Sequence, residues 1–400
     1  MRSEQRILTT HVGSLVRPPQ LVELLLKRQD GDALDPALFE AMLDRAVADV
    51  VRQQADHGVD IVSDGEFGKS FTWSMYVVER LAGVERRDDV SPDARPSQAS
   101  NDQKRFADFY REYVAQQGVA GLGREARLDP RPLVVTGPVG YVGQDRLRAD
   151  IERLKRAMVA AGVETGFLPV VAPVSATRMI VDRHYGSEEA FLFAMADVLR
   201  TEYQAILDAG LMLQIDDAYL AYMYDVMVPP ASMEEYRRWA AMGVEAMNHA
   251  LRGLPQERIR YHVCWGSWNG PHTNDVPARE IVDLILKVNA GGYALEMANP
   301  RHEHEWRLWG EVRLPDGKVL LPGVISHATN IVEHPELVAE RITRLARLVG
   351  RENVIAGTDC GFAQGPFTRR VHPSVMWAKL DALAQGARLA SAELWGRPAA

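Results

Sequence analysis

Eight short runs rich in apolar and β-branched residues alternate with longer amphipathic stretches along the chain. This alternation is typical of βα units, in which parallel strands are joined by helices that cover the sheet. The strands are predicted at residues 7–15, 59–66, 167–175, 211–217, 259–265, 293–299, 319–327 and 353–360. Eight such units predict an α/β fold, a (β/α)8 TIM barrel, with its active site at the carboxyl ends of the strands.

Two of the intervening helices have clear limits in the sequence. The helix predicted after Ser187 has acidic residues in its first turn, apolar residues at three- and four-residue spacing, and Gly210 as its stop. The helix predicted before the eighth strand starts with Pro335 and ends with Gly350, which is the usual asymmetry of helix ends.

The connection after the second strand, about residues 67–166, is too long for one crossover. It is interpreted as an insertion on the rim of the barrel, and its segment LVVTGPVGY is predicted to form a β-hairpin. The polar stretch at 88–104 is predicted to be a mobile surface loop, with a lid or an interface as open alternatives. Residues 1–400, with this insertion, are expected to form a single catalytic barrel.

Composition excludes several classes of function. The net charge of −8 and the absence of a Lys/Arg-rich run argue against nucleic-acid binding. No apolar stretch is long enough to span a membrane, and the N-terminus lacks the apolar core of a signal peptide, so a cytoplasmic enzyme is expected. The expected partners are therefore small molecules, and a homo-oligomer is left open.

The strand ends carry an unusual set of metal-binding side chains. His262 and Cys264 are two positions apart on one strand, so their side chains point to the same side. Cys360, the only other cysteine, ends the eighth strand, and Glu296 ends the sixth. Nitrogen, sulfur and oxygen donors suit tetrahedral Zn2+, whereas thiolates argue against Mg2+ or Ca2+. Two unrelated buried thiols are the alternative.

Further polar residues at the strand ends have both a structural and a functional interpretation. Glu66 and Asp216 either cap the next segment or hold a substrate ammonium group, and Asp217 can share either role. Ser14 belongs to a turn or binds a carboxylate. His327 is a candidate proton donor or a hydrogen-bonding residue of the barrel top.

Several other residues near these strand ends are candidates for a role in the site. Asp359 is predicted to orient a ligand or a base. His302 and His304 invite a metal-binding interpretation, but a solvated loop or helix start is preferred. The aromatic residues that could wall a pocket, or equally belong to the core, are Trp73, Tyr76, Trp265 and Trp268.

At these motifs the chain resembles a known family. The segments HVGSL, SDGEF, LQIDDA, HVC, LEMAN, PGVISHATN and GTDCGF are similar to the catalytic barrel of cobalamin-independent methionine synthase, and they run from residue 7 to about 365. The resemblance implies a methyltransferase of methionine biosynthesis, with zinc bound by His262, Cys264, Glu296 and Cys360. It also implies that the amino-acid part of a thiol is held by Ser14, Glu66 and Asp216, and that His327 protonates the departing pterin.

The chain departs from the family pattern on the donor side of the site. The family's third strand carries a TGP motif and a tryptophan that stacks on the pterin, whereas this chain reads VVAPVSATRM. The family's QIDE is QIDD here, and the additional N-terminal barrel of the long enzymes is not expected in this chain. The identity of the alkyl donor is therefore left open.

The leading hypothesis is transfer of a methyl or alkyl group to a zinc-activated, homocysteine-like thiol. Glu296 is predicted to be the ligand that yields to the incoming sulfur, because oxygen is the weakest match to thiolate-rich zinc. The alternative is opening of an epoxide by coenzyme M, as in epoxyalkane:coenzyme M transferases, with Arg17 and Arg178 as candidates for the sulfonate. A metal-free decarboxylase of the uroporphyrinogen barrel type and a non-catalytic zinc barrel are further alternatives.

Overall fold

The structure is a computed structural model that describes residues 2–91, 99–117, 129 and 131–396. Its strands are β1 (Leu8–Thr9), β2 (Ile61–Val62), β3 (Leu81–Arg86), β4 (Leu133–Tyr141), β5 (Thr165–Val171), β6 (Ile180–Asp182), β7 (Met212–Asp217), β8 (Ile259–Val263), β9 (Gly292–Leu295), β10 (Val319–Ile325) and β11 (Ile355–Thr358). Eight of them form one parallel sheet in the order β1-β11-β10-β9-β8-β7-β5-β2. A parallel bridge between Thr10 and Ile61 joins its two ends. The predicted (β/α)8 barrel is confirmed.

Helices surround this sheet. They are α1 (Pro19–Asp30), α2 (Pro36–Asp56), α3 (Asn101–Arg105), α4 (Ala107–Gln117), α5 (Gln144–Ala161), α6 (Pro173–Thr177), α7 (Glu188–Asp208), α8 (Tyr219–Met227), α9 (Met233–Leu251), α10 (Val282–Ile285), α11 (Pro335–Val349) and α12 (Pro373–Trp395). Short 3-10 helices lie at Met75–Arg80, Gln256–Arg258, Ala278–Glu280, Glu303–Gly310 and Arg351–Asn353. Within the described residues, no helix is both long and apolar enough to cross a membrane.

All eight predicted strands are present, but the regular strands are shorter than predicted. The polar residues at their carboxyl ends leave the sheet and form turns that are stabilised by side chains. After β2, for example, the amide of Gly65 donates to Ser63 Oγ (3.0 Å) and the amide of Glu66 donates to Asp64 Oδ1 (2.9 Å). Glu66 itself has a φ of 61°, a left-handed conformation that no strand residue adopts. The ends that carry chemistry are therefore loops held in fixed shapes.

The predicted hairpin in LVVTGPVGY is wrong, because the whole segment is the single strand β4. This strand pairs antiparallel with β3 and parallel with β6 in a separate three-stranded sheet. Its Gly-Pro pair does not make a turn but faces an irregularity in β3, where Gly83 has a φ of 81°. A β-carbon on Gly83 would collide with the carbonyl of Pro138.

The polar stretch 88–104 is only partly a loop. Residues 92–98 lie outside the described residues. From Asn101 the chain is helical, because Ser100 and Gln103 form a capping box that satisfies the first free amides of α3.

The two helix limits predicted from sequence are confirmed. Ser187 Oγ accepts a hydrogen bond from the amide of Ala190 (3.1 Å) at the start of α7, and Gly210 follows its end with a φ of 89°. Helix α11 begins at Pro335 and stops before Gly350.

The cap of α7 gives a first prediction. Ser187→Ala removes the acceptor for the Ala190 amide, and we expect it to lower the free energy of unfolding by about 1 kcal/mol. Denaturant unfolding of wild type, Ser187→Ala and Ser187→Thr measures the effect. Threonine keeps the oxygen, so a loss as large as that of alanine would show that the cap does not stabilise the helix.

Candidate metal centre and active site

Three metal-binding side chains meet at the carboxyl ends of two strands. His262 lies on β8, Cys264 directly follows this strand, and Cys360 follows β11. One ligand atom from each of the three lies within 4.8 Å of the others, and all three residues are buried. The two sulfur atoms are 3.5 Å apart. Three of the four predicted ligands are thus together.

The charges within this group depend on one another. The hydrogen bond from Cys264 lowers the pKa of Cys360 and raises that of Cys264, as expected for a thiol that donates to a thiolate. Burial disfavours a charged His262, but the Cys360 sulfur and the nearby carboxylates outweigh burial and raise its pKa. Among the described residues, neither ring nitrogen of His262 has a hydrogen-bond partner.

The group fits a thiophilic cation. Two sulfurs bound at about 2.3 Å in a tetrahedron would lie about 3.8 Å apart, close to the separation of Cys264 and Cys360. A buried imidazole without a partner costs free energy unless a ligand uses its nitrogen. His262, Cys264 and Cys360 could therefore hold a metal ion.

Glu296 lies outside this group, although the sequence predicts it as the fourth ligand. Its Oε1 accepts the amide of Trp265 (3.0 Å), and its Oε2 accepts from Asn299 (2.7 Å) and Arg301 (2.9 Å). Burial raises the pKa of Glu296, but the positive charge of Arg301 and neighbouring histidines lowers it overall. The carboxylate is ionised beside the cysteines and is held by three donors.

Asp359 fixes the loop that carries Glu296. Its Oδ1 accepts the amides of Met297 and Ala298, both at 2.8 Å, and its Oδ2 accepts the side-chain amide of Asn299 (2.9 Å). Burial, followed by the charge of Glu296, raises the pKa of Asp359 to about 7. Asp359 thus connects the Cys360 strand end with the Glu296 strand end.

The Asp359 contacts give a second prediction. In Asp359→Asn the new NH2 group faces the NH2 group of Asn299, which cannot rotate freely because its Oδ1 accepts the amides of Arg301 and His302. We expect a loss of about 1–3 kcal/mol in the free energy of unfolding.

Denaturant unfolding of the metal-free protein measures this loss. Asp381→Asn is the matched control, because Asp381 is half exposed and makes a surface pair with His57, worth about 1 kcal/mol or less. Equal losses in the two variants would contradict the role of Asp359.

The residues predicted to bind the thiol substrate form a second group beside Cys360. Ser14 Oγ donates to Glu66 Oε2 (2.9 Å), and Lys69, which the sequence analysis missed, pairs with Glu66 Oε1 at 3.4 Å. A β-carbon on Gly361 would lie 2.8 Å from Ser14 Oγ, so this serine contacts the backbone next to Cys360.

The acids on β7 have different roles. Asp216 is paired in register with His262 and accepts from Gln214 (2.7 Å). Burial raises the pKa of Asp216 to about 7, and His262 opposes this shift. Asp217 caps α8 instead, because its Oδ1 accepts the amide of Leu220 (3.1 Å).

His327 is fully buried after β10, and neither ring nitrogen has a hydrogen-bond partner in the described part of the chain. Burial lowers its pKa, partly offset by Cys360 and Glu296. Within the described residues, His327 is therefore not a hydrogen-bonding residue of the barrel top. Its neutral imidazole lies near the sulfur group.

The interpretation of His302 as solvated is wrong. His302 is buried and bonds Glu305 (2.8 Å) and Asp275 (3.2 Å), and although burial opposes it, these carboxylates raise its pKa to about 9. His304 is exposed at the predicted helix start. Trp265 belongs to the core, where its indole donates to the carbonyl of Val276 (2.7 Å).

Helix α3 contacts the loop after β8 through Asp102. This carboxylate accepts from Tyr110 Oη (2.7 Å) and from the amides of His272 (3.1 Å) and Thr273 (2.9 Å). Trp268 in turn donates to Tyr110 Oη (3.1 Å). The described part of the insertion therefore covers the loop that follows Cys264, and the capping box at Ser100 is the sequence signal that could have located this helix.

Comparisons with known proteins agree with this architecture. The catalytic-domain profile of the cobalamin-independent synthases matches residues 162–376. The chain is 26% identical to 2-hydroxypropyl-CoM lyase of Xanthobacter autotrophicus over 96% of this chain and 95% of that protein. It is 22% identical to methionine synthase of Thermococcus kodakarensis over 96% and 94% of the two chains.

A solved structure has the same fold. The B12-independent methionine synthase of Shewanella, in complex with selenomethionine, superposes with a TM-score of 0.70, 22% identity and coverage of 98% and 99% of the two chains. Because the family profile covers more than half of the residues, the chain belongs to the cobalamin-independent synthase family through its catalytic domain.

Proposed function

We propose that this chain is a zinc-dependent enzyme that transfers a methyl or alkyl group to the sulfur of a small thiol. The observation that carries the proposal is the buried group of His262, Cys264 and Cys360, whose ligand atoms lie within 4.8 Å of one another. Two sulfurs and one imidazole nitrogen favour zinc over oxygen-preferring cations. The family membership supports the same chemistry.

Zinc, when bound, would lower the pKa of a substrate thiol and keep it as a thiolate at neutral pH. The protein side of the reaction follows from the surrounding residues. His262, Cys264 and Cys360 would remain ligands, and Glu296 would be the group that gives way to the substrate sulfur. Asn299 and Arg301 already donate hydrogen bonds to the Glu296 carboxylate in the position that it occupies here.

Ser14, Glu66 and Asp216 are proposed to bind the acceptor, and His327 is proposed to serve the leaving group. Because burial lowers the pKa of His327, the imidazole is neutral at rest. It would take up the proton that the substrate thiol gives up and pass this proton from the imidazolium to the leaving atom, which returns His327 to its neutral form. Asp359 acts through Glu296, whose loop it holds.

A homocysteine-like thiol is the leading acceptor, because the carboxylates of Glu66 and Asp216 suit an ammonium group. Epoxide opening by a sulfonate-bearing thiol is the second candidate. It is favoured by the 26% identity to 2-hydroxypropyl-CoM lyase and by a β5 strand that carries no tryptophan to stack on a pterin. In both reactions a thiol sulfur attacks carbon, and the leaving oxygen or nitrogen takes a proton.

Metal content tests the ligand group. The protein purified without chelator should contain about one zinc per chain, and Cys360→Ser should lose most of it, because a neutral hydroxyl replaces a thiolate. Met297→Leu, which changes a buried neighbour of the group that is not a ligand, should keep its zinc. Full zinc retention in a folded Cys360→Ser protein would overturn the assignment.

A product assay decides between the two reactions. The zinc-loaded enzyme is incubated with homocysteine or 2-mercaptoethanesulfonate and with methyltetrahydrofolate, methylcobalamin or a small epoxide. We expect an S-alkyl product from one thiol–donor pair and a shift of the zinc X-ray absorption toward more sulfur with that thiol. A zinc spectrum that no thiol changes would refute thiol activation.

A further inference from the structure

Arg17 is a buried cation whose hydrogen-bonding capacity is largely unused. Only 5% of its surface is exposed, and its Nε and Nη1 atoms have no partner among the described residues. Only Nη2 is engaged, by the backbone carbonyls of Glu66 and Lys69. A buried donor without an acceptor costs free energy, so a guanidinium with two unpartnered nitrogens needs a physical reason.

Two other buried arginines of the described chain have acidic partners that explain their burial. Arg80 pairs with Asp150 and Glu202, both within 2.7 Å. Arg153 pairs with Glu40 and with further acids on neighbouring helices. Among the described residues, in contrast, Arg17 donates only to neutral carbonyls and lies over the ring of Phe67 at 5.8 Å, so it lacks a direct ion pair.

Arg260 is the nearest parallel to Arg17, but its situation differs. Two of its nitrogens donate to Thr10 Oγ1 (2.8 Å) and to the carbonyl of His11 (2.7 Å), and it stacks on the ring of Phe167 at 4.1 Å. Only its Nε is without a partner. Arg260 thus bridges strands inside the barrel, whereas Arg17 has two free nitrogens beside a loop.

Arg17 lies next to the residues proposed to bind the acceptor. It follows Ser14 by three positions, and its Nη2 contacts the backbone of Glu66, whose side chain is bonded to Ser14. Ser14 in turn contacts Gly361 beside Cys360. A continuous series of contacts therefore runs from the sulfur group to the guanidinium.

The acids near Arg17 are already engaged. Glu66 binds Ser14 and pairs with Lys69. Asp64 accepts the amide of Glu66, and its burial raises its pKa to about 6. Burial also lowers the pKa of Arg17, but only to about 10, so the guanidinium is charged at neutral pH. This cation can attract an additional anion.

We propose that Arg17 determines specificity by binding an anionic head group of the thiol substrate, a carboxylate or a sulfonate. The inference rests on the proposed function and names the class of its acceptor. The Nε and Nη1 atoms of Arg17 point to different sides of the guanidinium, and an anion beside either nitrogen would accept a charge-assisted hydrogen bond that the described residues do not supply. Neutral thiols would leave these donors buried without acceptors and would bind more weakly.

Binding of a matched thiol series to the zinc-loaded protein tests the proposal. The probes are 3-mercaptopropionate, 2-mercaptoethanesulfonate, homocysteine, neutral 2-mercaptoethanol and cationic cysteamine, and Kd is measured by calorimetry. In wild type we expect anionic thiols to bind at least ten-fold more tightly than 2-mercaptoethanol, a difference of about 1.4 kcal/mol. The better of the carboxylate and sulfonate thiols identifies the head group.

Arg17→Gln should remove this preference and leave the Kd of 2-mercaptoethanol unchanged. Arg153→Gln is the matched control, because Arg153 is also a buried arginine but is paired with Glu40 and Asp44. It should keep the preference. If Arg17→Gln does not fold, Arg17→Lys keeps the charge but not the positions of the guanidinium nitrogens, and it should reduce the preference without abolishing it.

The outcomes separate this inference from the proposed function. If no thiol changes the X-ray absorption of the bound zinc, the proposed function fails. If thiols coordinate zinc but wild type prefers no anionic thiol, the assignment of Arg17 is overturned while thiol activation stands. An equal loss of affinity for all thiols in Arg17→Gln would mean that Arg17 only supports the loop after β2, and this also overturns it.

Discussion

Closure of the parallel sheet is the constraint on which the rest of the molecule depends. β1 pairs with β11, and the bridge between Thr10 and Ile61 joins the first strand to the second. Because all eight strands run in the same direction, their carboxyl ends form one ring, and residues far apart in sequence meet there. Cys264 and Cys360 are 3.5 Å apart only because β8 and β11 belong to this ring.

Around this ring, buried charges are kept in fixed places by hydrogen bonds. Burying a carboxylate is costly unless cations or amides compensate for the lost water. Glu296 forms an ion pair with Arg301, and Asp359 accepts hydrogen bonds from the backbone amides of the loop that carries Glu296. Arg301 also pairs with Asp275 (2.8 Å), which bonds His302. The loop after β9 is therefore fixed before any ligand arrives, as preorganised sites require.

The sequence predicted most of the barrel and the convergence of His262 and Cys264 at the centre of the site. Apolar β-branched runs locate strands, and spacing by two positions places His262 and Cys264 on one side. Strand ends were predicted too long, because Ser63 and Asp64 divert the backbone by bonds that no periodicity reveals. LVVTGPVGY was predicted to be a hairpin, whereas the strands that it pairs with, β3 and β6, are distant from it in sequence.

Charged partners were the hardest part of the site to predict. The order of residues gives no sign that Arg301 and Asn299 hold Glu296, because that contact depends on how the loop after β9 folds back. His302 was interpreted as part of a solvated loop or a helix start, and it does precede the 3-10 helix Glu303–Gly310, but it is buried. Its burial depends on Asp275, which lies on a different loop. Such pairs follow from tertiary structure alone.

The buried polar groups of the site that lack hydrogen-bond partners can be explained in the same way. His262, His327 and Arg17 are buried, and each has ring or guanidinium nitrogens without partners among the described residues. Burial of such groups without hydrogen bonds costs free energy, and this cost is offset only when a ligand supplies the missing partners. In the proposed function His262 would bind a metal, His327 would serve the leaving atom and Arg17 would bind an anion. This arrangement would suit a substrate with a sulfur at one end and a negative charge at the other.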